Sequence, residues 1–340
     1  MKHKKIIGII LTILLSLLLY GCNKIDQIRG IIFEEKGDIE IIRNDEEEIN
    51  ASIETNLRDT TLYYQNENGY LVPIKRQIPW EEGIAKAALK NMTDTVAVRE
   101  DINPIGLKPI IPTGTEIRGM TVDNETGICK IDFSKEIENY EGKKQEENMI
   151  KGIVYTLTEF PNIKEVQIII DGKAVTTMKH GTNIEKPLKR EDINLIEVSG
   201  NTDSKMVVYY KGTGSGEYEY YVPVTIPVSS HKNNILTALG YLFKGAPELS
   251  GLYTDIPDGV KLQQAQVSDG TIYVDVKLDN ENSIKDQVAF DKMSKNISLT
   301  LSQFENVKNI EVLVDGKTLQ EAGLPLEGQG TAIPVFANEY

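Results

Sequence analysis

The chain has 340 residues, is 40% hydrophobic and 26% charged, and carries a formal net charge of −14. This length suits about two domains with real cores. The acidic balance repels phosphate backbones and anionic lipid surfaces, which argues against nucleic acid as a partner.

The N-terminus reads as an export signal. "MKHKK" is basic, and Ile6 to Tyr20 form a nearly unbroken apolar run. The run is short for a spanning helix, which takes about 20 apolar residues, and suits the apolar region of a signal peptide. Leu19, Tyr20 and Gly21 before Cys22 resemble a bacterial lipobox, with Tyr20 standing where a small residue is usual. The expectation is a signal peptide over 1–21, cleaved before a diacylated Cys22 whose two acyl chains hold the protein on the membrane. The rest of the chain then lies on the extracytoplasmic face. Cys22 and Cys129 are the two cysteines, so lipidation of Cys22 leaves no intramolecular disulfide. Cys129, in "GICKIDF", alternates inward as a small buried hydrophobe. Residues 22–57, with "NDEEEINASIETN", lack a sustained apolar period and read as an acidic tether.

Two similar units follow, over 58–178 and 203–322, joined by a linker over 179–202 and followed by a tail over 323–340. "TLTEFPNIKEVQIIIDGK" at 156–173 returns as "TLSQFENVKNIEVLVDGK" at 300–317. "GYLVPIKRQIP" answers "YEYYVPVTIP", and "LKPIIPTGTEI" answers "LYTDIPDGVKL". Val72-Pro73 and Val222-Pro223 fall inside the second strand of each unit, and a proline removes a ladder donor, so that strand is expected at a sheet edge. A short helix follows, with Ala85, Ala88, Leu89 and Met92, or Ile235, Ala238, Leu239 and Leu242, on one side. A Pro-x-Gly turn then leads to a hairpin. Met149, Ile153, Leu157 and Phe160, matched by Met293, Ile297, Leu301 and Phe304, form one apolar stripe of a longer helix. Val166, Ile168 and Ile170, or Ile310, Val312 and Val314, then alternate along a last strand. Asp-Gly-Lys closes it, with Gly172 or Gly316 supplying a positive φ. The fold class expected is α+β: two tandem two-layer domains, each a largely antiparallel sheet with two helices on one face.

Few residues invite chemistry. His180 lies in the linker and His231 at a helix start, and neither has a histidine counterpart in the other unit. No Gly-x-Ser-x-Gly elbow accompanies them. Asp269, Asp275, Asp279 and Glu281 divide between turn and strand positions, and their spacing does not fit a twelve-residue calcium loop. "DNETG" at 123–127 reads as a hairpin turn. "KGTGSGE" at 211–217 is glycine-rich, but a strand follows it, where a phosphate cradle needs a helix N-terminus. No catalytic residue, metal ligand or cofactor site emerges. Ile169 and Leu313 on polar sheet faces, with Tyr218 and Tyr220 on the Tyr-rich hairpin, are candidates for partner contact.

The order Val-Pro hairpin, Ala-Leu helix, Ile-Pro-x-Gly, "IDF" or "VDV", then the repeated helix–turn–strand, resembles the GerMN domain, present twice over about 58–322. Unit one departs from it at "NMTDTVAVREDINPIG", where unit two keeps Leu-x-Lys-Gly-Ala-Pro at 242–247. The resemblance implies a non-enzymatic envelope lipoprotein of sporulation, similar to ring-building modules. Its partners would be envelope proteins of the SpoIIIA–SpoIIQ type, with homo-oligomers open to it. Its place would be the outer forespore membrane, facing the intermembrane space between mother cell and forespore. The competing readings are an extracytoplasmic sensor- or ligand-binding lipoprotein and, behind it, a peptidoglycan hydrolase.

Overall fold

The computed structural model describes residues 57–79, 83–196, 202–229, 234–328 and 330–340. The lipobox residues Leu19, Tyr20, Gly21 and Cys22, the acidic tether up to Asn56, and His231 lie outside the described residues. Thr55 to Tyr340 form one compact unit containing both repeats.

Each repeat opens with a hairpin. In the first, β1 (Leu57–Asn66) pairs antiparallel with β2 (Leu71–Pro79). Two short helices follow, α1 (Ile84–Lys90) and α2 (Val96–Ile102), then β3 (Leu107–Lys108), which pairs with the other side of β1. Next come β4 (Ile117–Val122), β5 (Ile128–Phe133), α3 (Lys143–Leu157), β6 (Glu165–Ile170) and β7 (Lys173–Ala174). The second repeat has the hairpin β8 (Ser204–Thr213) and β9 (Glu219–Val228), then α4 (Ile235–Lys244). It continues through β10 (Val260–Ser268), β11 (Thr271–Leu278), α5 (Gln287–Leu301) and β12 (Asn309–Val314) to β13 (Thr331–Ala332).

The α+β class holds, with two refinements. The strands of each repeat divide into the hairpin and a separate four-stranded sheet, ordered β4-β5-β6-β7 or β10-β11-β12-β13. Within each sheet, β5 with β6 and β11 with β12 run parallel. A parallel pair needs a long crossover, and the 15-residue helices α3 and α5 supply it. That position explains their burial. Met149, Ile153 and Leu157 form the expected stripe, yet Ile150, Val154 and Thr156 are buried as well. The helix contacts β1 of the hairpin and β6 of the sheet, and a helix covered on two sides is apolar on two sides. The first repeat has a third helix, α2, built from the segment in which it departs from its twin. Thr95 caps it, its side chain accepting from Val98 N at 3.2 Å.

The repeated sentence is architecture. In both Asp-Gly-Lys turns the aspartate as well as the glycine takes a positive φ: Asp171 51° and Gly172 72°, Asp315 49° and Gly316 75°. The aspartates of "IDF" and "VDV" fix these turns from the neighbouring strand. Asp132 Oδ1 accepts from Gly172 N at 2.9 Å, and Asp275 Oδ1 from Gly316 N at 2.8 Å. "DNETG" is the expected hairpin turn, with Asp123 Oδ1 accepting from Glu125 N at 2.9 Å.

Candidate functional site

The richest polar geometry lies where the two repeats meet. β2 and β9, the proline-bearing strands, approach one another, and proline pre-selects both for an edge. Pro73 stands opposite Tyr63 and Pro223 opposite Tyr209, in the same register of their hairpins. At such an edge the outward N–H and C=O groups need partners.

Two asparagines meet this need in matching ways. Asn194, from the linker after the first repeat, accepts from Leu71 N at 2.8 Å and donates to Leu71 O and Pro223 O, both at 2.8 Å. Asn338, from the tail after the second repeat, accepts from Tyr221 N at 2.6 Å and donates to Tyr221 O and Pro73 O, both at 2.8 Å. Leu71 and Tyr221 hold the same place in their repeats, as do Pro73 and Pro223. Each side-chain amide therefore replaces the strand partner that one edge residue lacks, and ties that residue to the other repeat. Both asparagines are buried. Asn194 takes a left-handed backbone, φ 48°, which asparagine tolerates.

The segments carrying these asparagines cross over. The linker runs along the second repeat's edge: Thr225 N donates to Ile193 O at 3.0 Å and Ile196 N to Thr225 O at 3.1 Å. The tail returns to the first repeat's edge, where Lys75 N donates to Asn338 O at 2.8 Å and Lys75 bridges Glu339. Lys75 and Thr225 are again equivalent positions. The strap that follows each repeat thus caps the edge of the other. Tyr218 O–H donates to Glu339 O at 2.7 Å, and its ring meets Tyr340 edge-on at 5.5 Å.

The two segments that looked irregular in sequence pack against each other. The glycine-rich turn "GTGSGE" of the second repeat rests on "NPIG" of the first. A Cβ on Gly214 would lie 2.0 Å from Ile105 O, and one on Gly106 2.4 Å from Ser215 N. Backbone meets backbone there, which glycine permits.

The second repeat also holds a closed ionic cluster. The Lys211 ammonium is buried, 2.9 Å from Glu219 and 3.0 Å from Asp255. Tyr221 O–H donates to Asp255 at 2.6 Å and Tyr253 O–H to Glu219 at 2.8 Å, while Lys292 Nζ reaches Glu219 at 3.0 Å. The Lys211 hydrogen bond, with those of Lys292 and Tyr253, outweighs burial and holds the Glu219 carboxyl at about 2. Burial, then the Asp255 carboxylate, push the Tyr221 phenol up. The first repeat has a neutral version, in which Asn148 donates to Gln65 at 2.7 Å at the positions of Lys292 and Lys211. Each charge of the cluster is met by another, an arrangement suited to holding β8 and β9 against α5.

The remaining sequence candidates are spent on structure. His180 is exposed; its Nε2 accepts from Gly142 N at 3.2 Å. Its backbone N and that of Thr182, with the Tyr140 hydroxyl, donate to the buried Glu146 carboxylate at 2.6, 2.9 and 2.6 Å. Burial pushes this carboxyl up, but those hydrogen bonds together outweigh it and hold it below the ordinary range. Asp279 pairs with Lys261 at 2.7 Å, Asp275 is buried within β11, and Asp269 and Glu281 are exposed. Among the described residues no group of three or more His, Cys, Asp or Glu is placed to hold a metal ion, and no helix is long and apolar enough to cross a membrane. Burial pushes the Cys129 thiol up to about 11, away from reactivity. Ile169 and Leu313 are half-buried. Tyr220 is 2% exposed and belongs to the core, so it is no free surface residue, and Tyr218 holds its own chain's tail.

Known proteins share this architecture. The spore germination protein GerM of Bacillus subtilis (strain 168) is 33% identical over 266 residues, 76% of this chain and 71% of that one. The solved tandem GerMN domains of the sporulation protein GerM from Bacillus subtilis superpose with a TM-score of 0.69 at 30% identity, covering 83% of this chain and 99% of that one. Its first GerMN domain alone matches at 32% identity over 40% of this chain and 99% of that one, with a TM-score of 0.37. The family model described as Germane, sporulation and spore germination, matches residues 61–176 and again 207–320. With both repeats matched, the chain belongs to the Germane family of sporulation and spore germination.

Proposed function

We propose that this chain is a non-catalytic, lipid-tethered envelope protein of sporulation, whose joined repeats act as one rigid body in assembling a transenvelope channel between mother cell and forespore. The observation that carries the reading is the likeness of the whole tandem pair to a sporulation protein, across nearly the full length of the solved relative. The consumption of the polar clusters by internal contacts supports a binding role over a catalytic one. In this reading Cys22 bears the lipid, the acidic segment up to residue 57 is the tether, and the body faces the space between the two membranes. Concentration on one surface turns weak contacts with channel proteins of the SpoIIIA–SpoIIQ type into effectively intramolecular ones.

The test is in-cell crosslinking followed by affinity capture and protein identification, from vegetative and sporulating cultures of the native host. Channel proteins captured only in sporulation, and lost with Cys22→Ala, are the expected result. Equal capture of wall enzymes or sensor kinases in both cultures would overturn the proposal.

A further inference from the structure

Lys151 and Lys295 hold the same place on α3 and α5, and the strap after each repeat passes beside its lysine. In the first repeat that stretch of strap is Arg190-Glu191-Asp192, two to four positions before Asn194. It is bound down at each residue. Lys151 Nζ donates to Asp192 O at 2.9 Å, and the Tyr155 hydroxyl donates to Glu191 O. Arg190 donates to Tyr155 O at 3.1 Å and lies 5.0 Å over the Tyr155 ring.

The second repeat keeps the lysine and loses the rest. Two to four positions before Asn338 stand Pro334-Val335-Phe336, and the counterpart of Tyr155 is Leu299. A cleft of about 530 Å³ opens there, with Lys295, Ile333, Pro334, Val335, Phe336 and Glu339 in its walls. Val335 is 87% exposed. Among the described residues none accepts a hydrogen bond from the half-buried Lys295 ammonium, whose partner is the Tyr221 ring at 5.5 Å. Burial pushes this ammonium down despite the Glu339 and Asp255 carboxylates, and the Lys211 charge adds to the push. Glu339 is itself engaged with Lys75, 3.3 Å away.

We propose that this cleft binds a small monocarboxylate on an apolar body, an aliphatic or aromatic acid, with its carboxylate on Lys295 and its body along Pro334, Val335 and Phe336. Three features set the class. A half-buried cation without an acceptor calls for one negative charge that hydrogen-bonds to it. The Glu339 carboxylate on the same cleft, already paired, repels a dianion such as phosphate. Apolar walls in a cleft of this size, within the ~300–1,000 Å³ of small-ligand sites, take the body. The first repeat shows the alternative. There the equivalent lysine is satisfied by its own chain, and charged residues that bind the strap down stand where the cleft has apolar ones. The inference does not depend on the sporulation reading.

The test uses the body over 55–340, which has its own core. Isothermal titration with the straight-chain acids from butyrate to octanoate should show one site per chain. Affinity should rise about two- to fourfold with each added methylene until the cleft is full. Methyl resonances of Ile333 and Val335 should shift on binding. Octanol, with the same body and no charge, should bind at least about tenfold more weakly than octanoate. K295M should keep its melting temperature and weaken octanoate by a similar factor, K295R should retain binding, and K151M should leave it unchanged. A short peptide ending in a free phenylalanine carboxylate, set against its C-terminal amide, separates the two sources of such a group. Lys295-dependent binding of octanoate assigns the cleft to free acids, and of the peptide alone to a chain end; both support the proposal. Octanol bound as tightly as octanoate, full binding by K295M, methyl shifts confined to other regions, or no carboxylate bound would each overturn it.

Discussion

Replacing Asn338 with alanine tests whether the reciprocal straps hold the repeats together. The change removes three hydrogen bonds, to Tyr221 N, Tyr221 O and Pro73 O. The buried Tyr221 N–H is left without its acceptor, at about 1–3 kcal/mol. Each of the two carbonyls loses a bond with a net value of about 1 kcal/mol, softened where water reaches it. The expected loss is about 2–4 kcal/mol, or a melting temperature lower by about 3–7 °C for a body of this size. Asn338→Asp should cost at least as much, because it keeps the acceptor but removes both donors and buries an unpaired charge. Differential scanning calorimetry of the 55–340 body reads both variants. In the double variant N194A/N338A the single transition should separate into two as the repeats uncouple. A melting temperature for Asn338→Ala within about 1 °C of wild type would refute the assignment, since a buried strap of this kind is not removed without cost.

Other perturbations address other contacts. Lys211→Met leaves Asp255 and Glu219 without their shared cation, and should cost about 3–5 kcal/mol in urea unfolding; Gln65→Met at the neutral counterpart should cost clearly less. Glu146 has a depressed folded-state pKa, so its contribution is present above the ordinary carboxylate value near 4.3 and disappears as pH falls through the folded value. Urea titrations from pH 7 downward should show this acid loss in wild type and a shallower one in Glu146→Gln, which is also weaker at pH 7 because its amide N–H₂ faces backbone donors. Gly214→Ala has an unstrained backbone but drives a Cβ into Ile105 O, and should cost about 1–3 kcal/mol by thermal melting.

Much of the fold could be read along the chain because it rests on local patterns. The stripe from Met149 to Phe160, the alternation from Val166 to Ile170, and the glycines of both Asp-Gly-Lys turns each carry their reason within a few residues. The prolines at 73 and 223 correctly marked edges. What covers those edges was not legible. Asn194 and Asn338 are single asparagines in segments without periodicity, and their partners lie more than a hundred positions away at Leu71 and Tyr221. The ionic cluster was hidden similarly, since Lys211, Glu219, Asp255 and Lys292 share no spacing rule. A signal was present in the comparison of the repeats: Gln65 against Lys211 and Asn148 against Lys292 change in concert. The glycine-rich turn and the irregular "NPIG" segment were each visible, but only the folded chain brings them together. Tyr220, expected as a contact residue, is 2% exposed, because hairpin alternation gives a side chain's face, not what lies against that face.

The reciprocal straps should make the two repeats one rigid body. The most direct measurement is the distance distribution between spin labels at Lys173→Cys and Lys317→Cys, exposed and equivalent positions in the two Asp-Gly-Lys turns, read by pulsed electron resonance on the 55–340 body. A single narrow distribution that broadens in N194A/N338A is the predicted result. A broad or two-peaked distribution in the wild-type body would mean that the repeats move independently and that the straps do not join them.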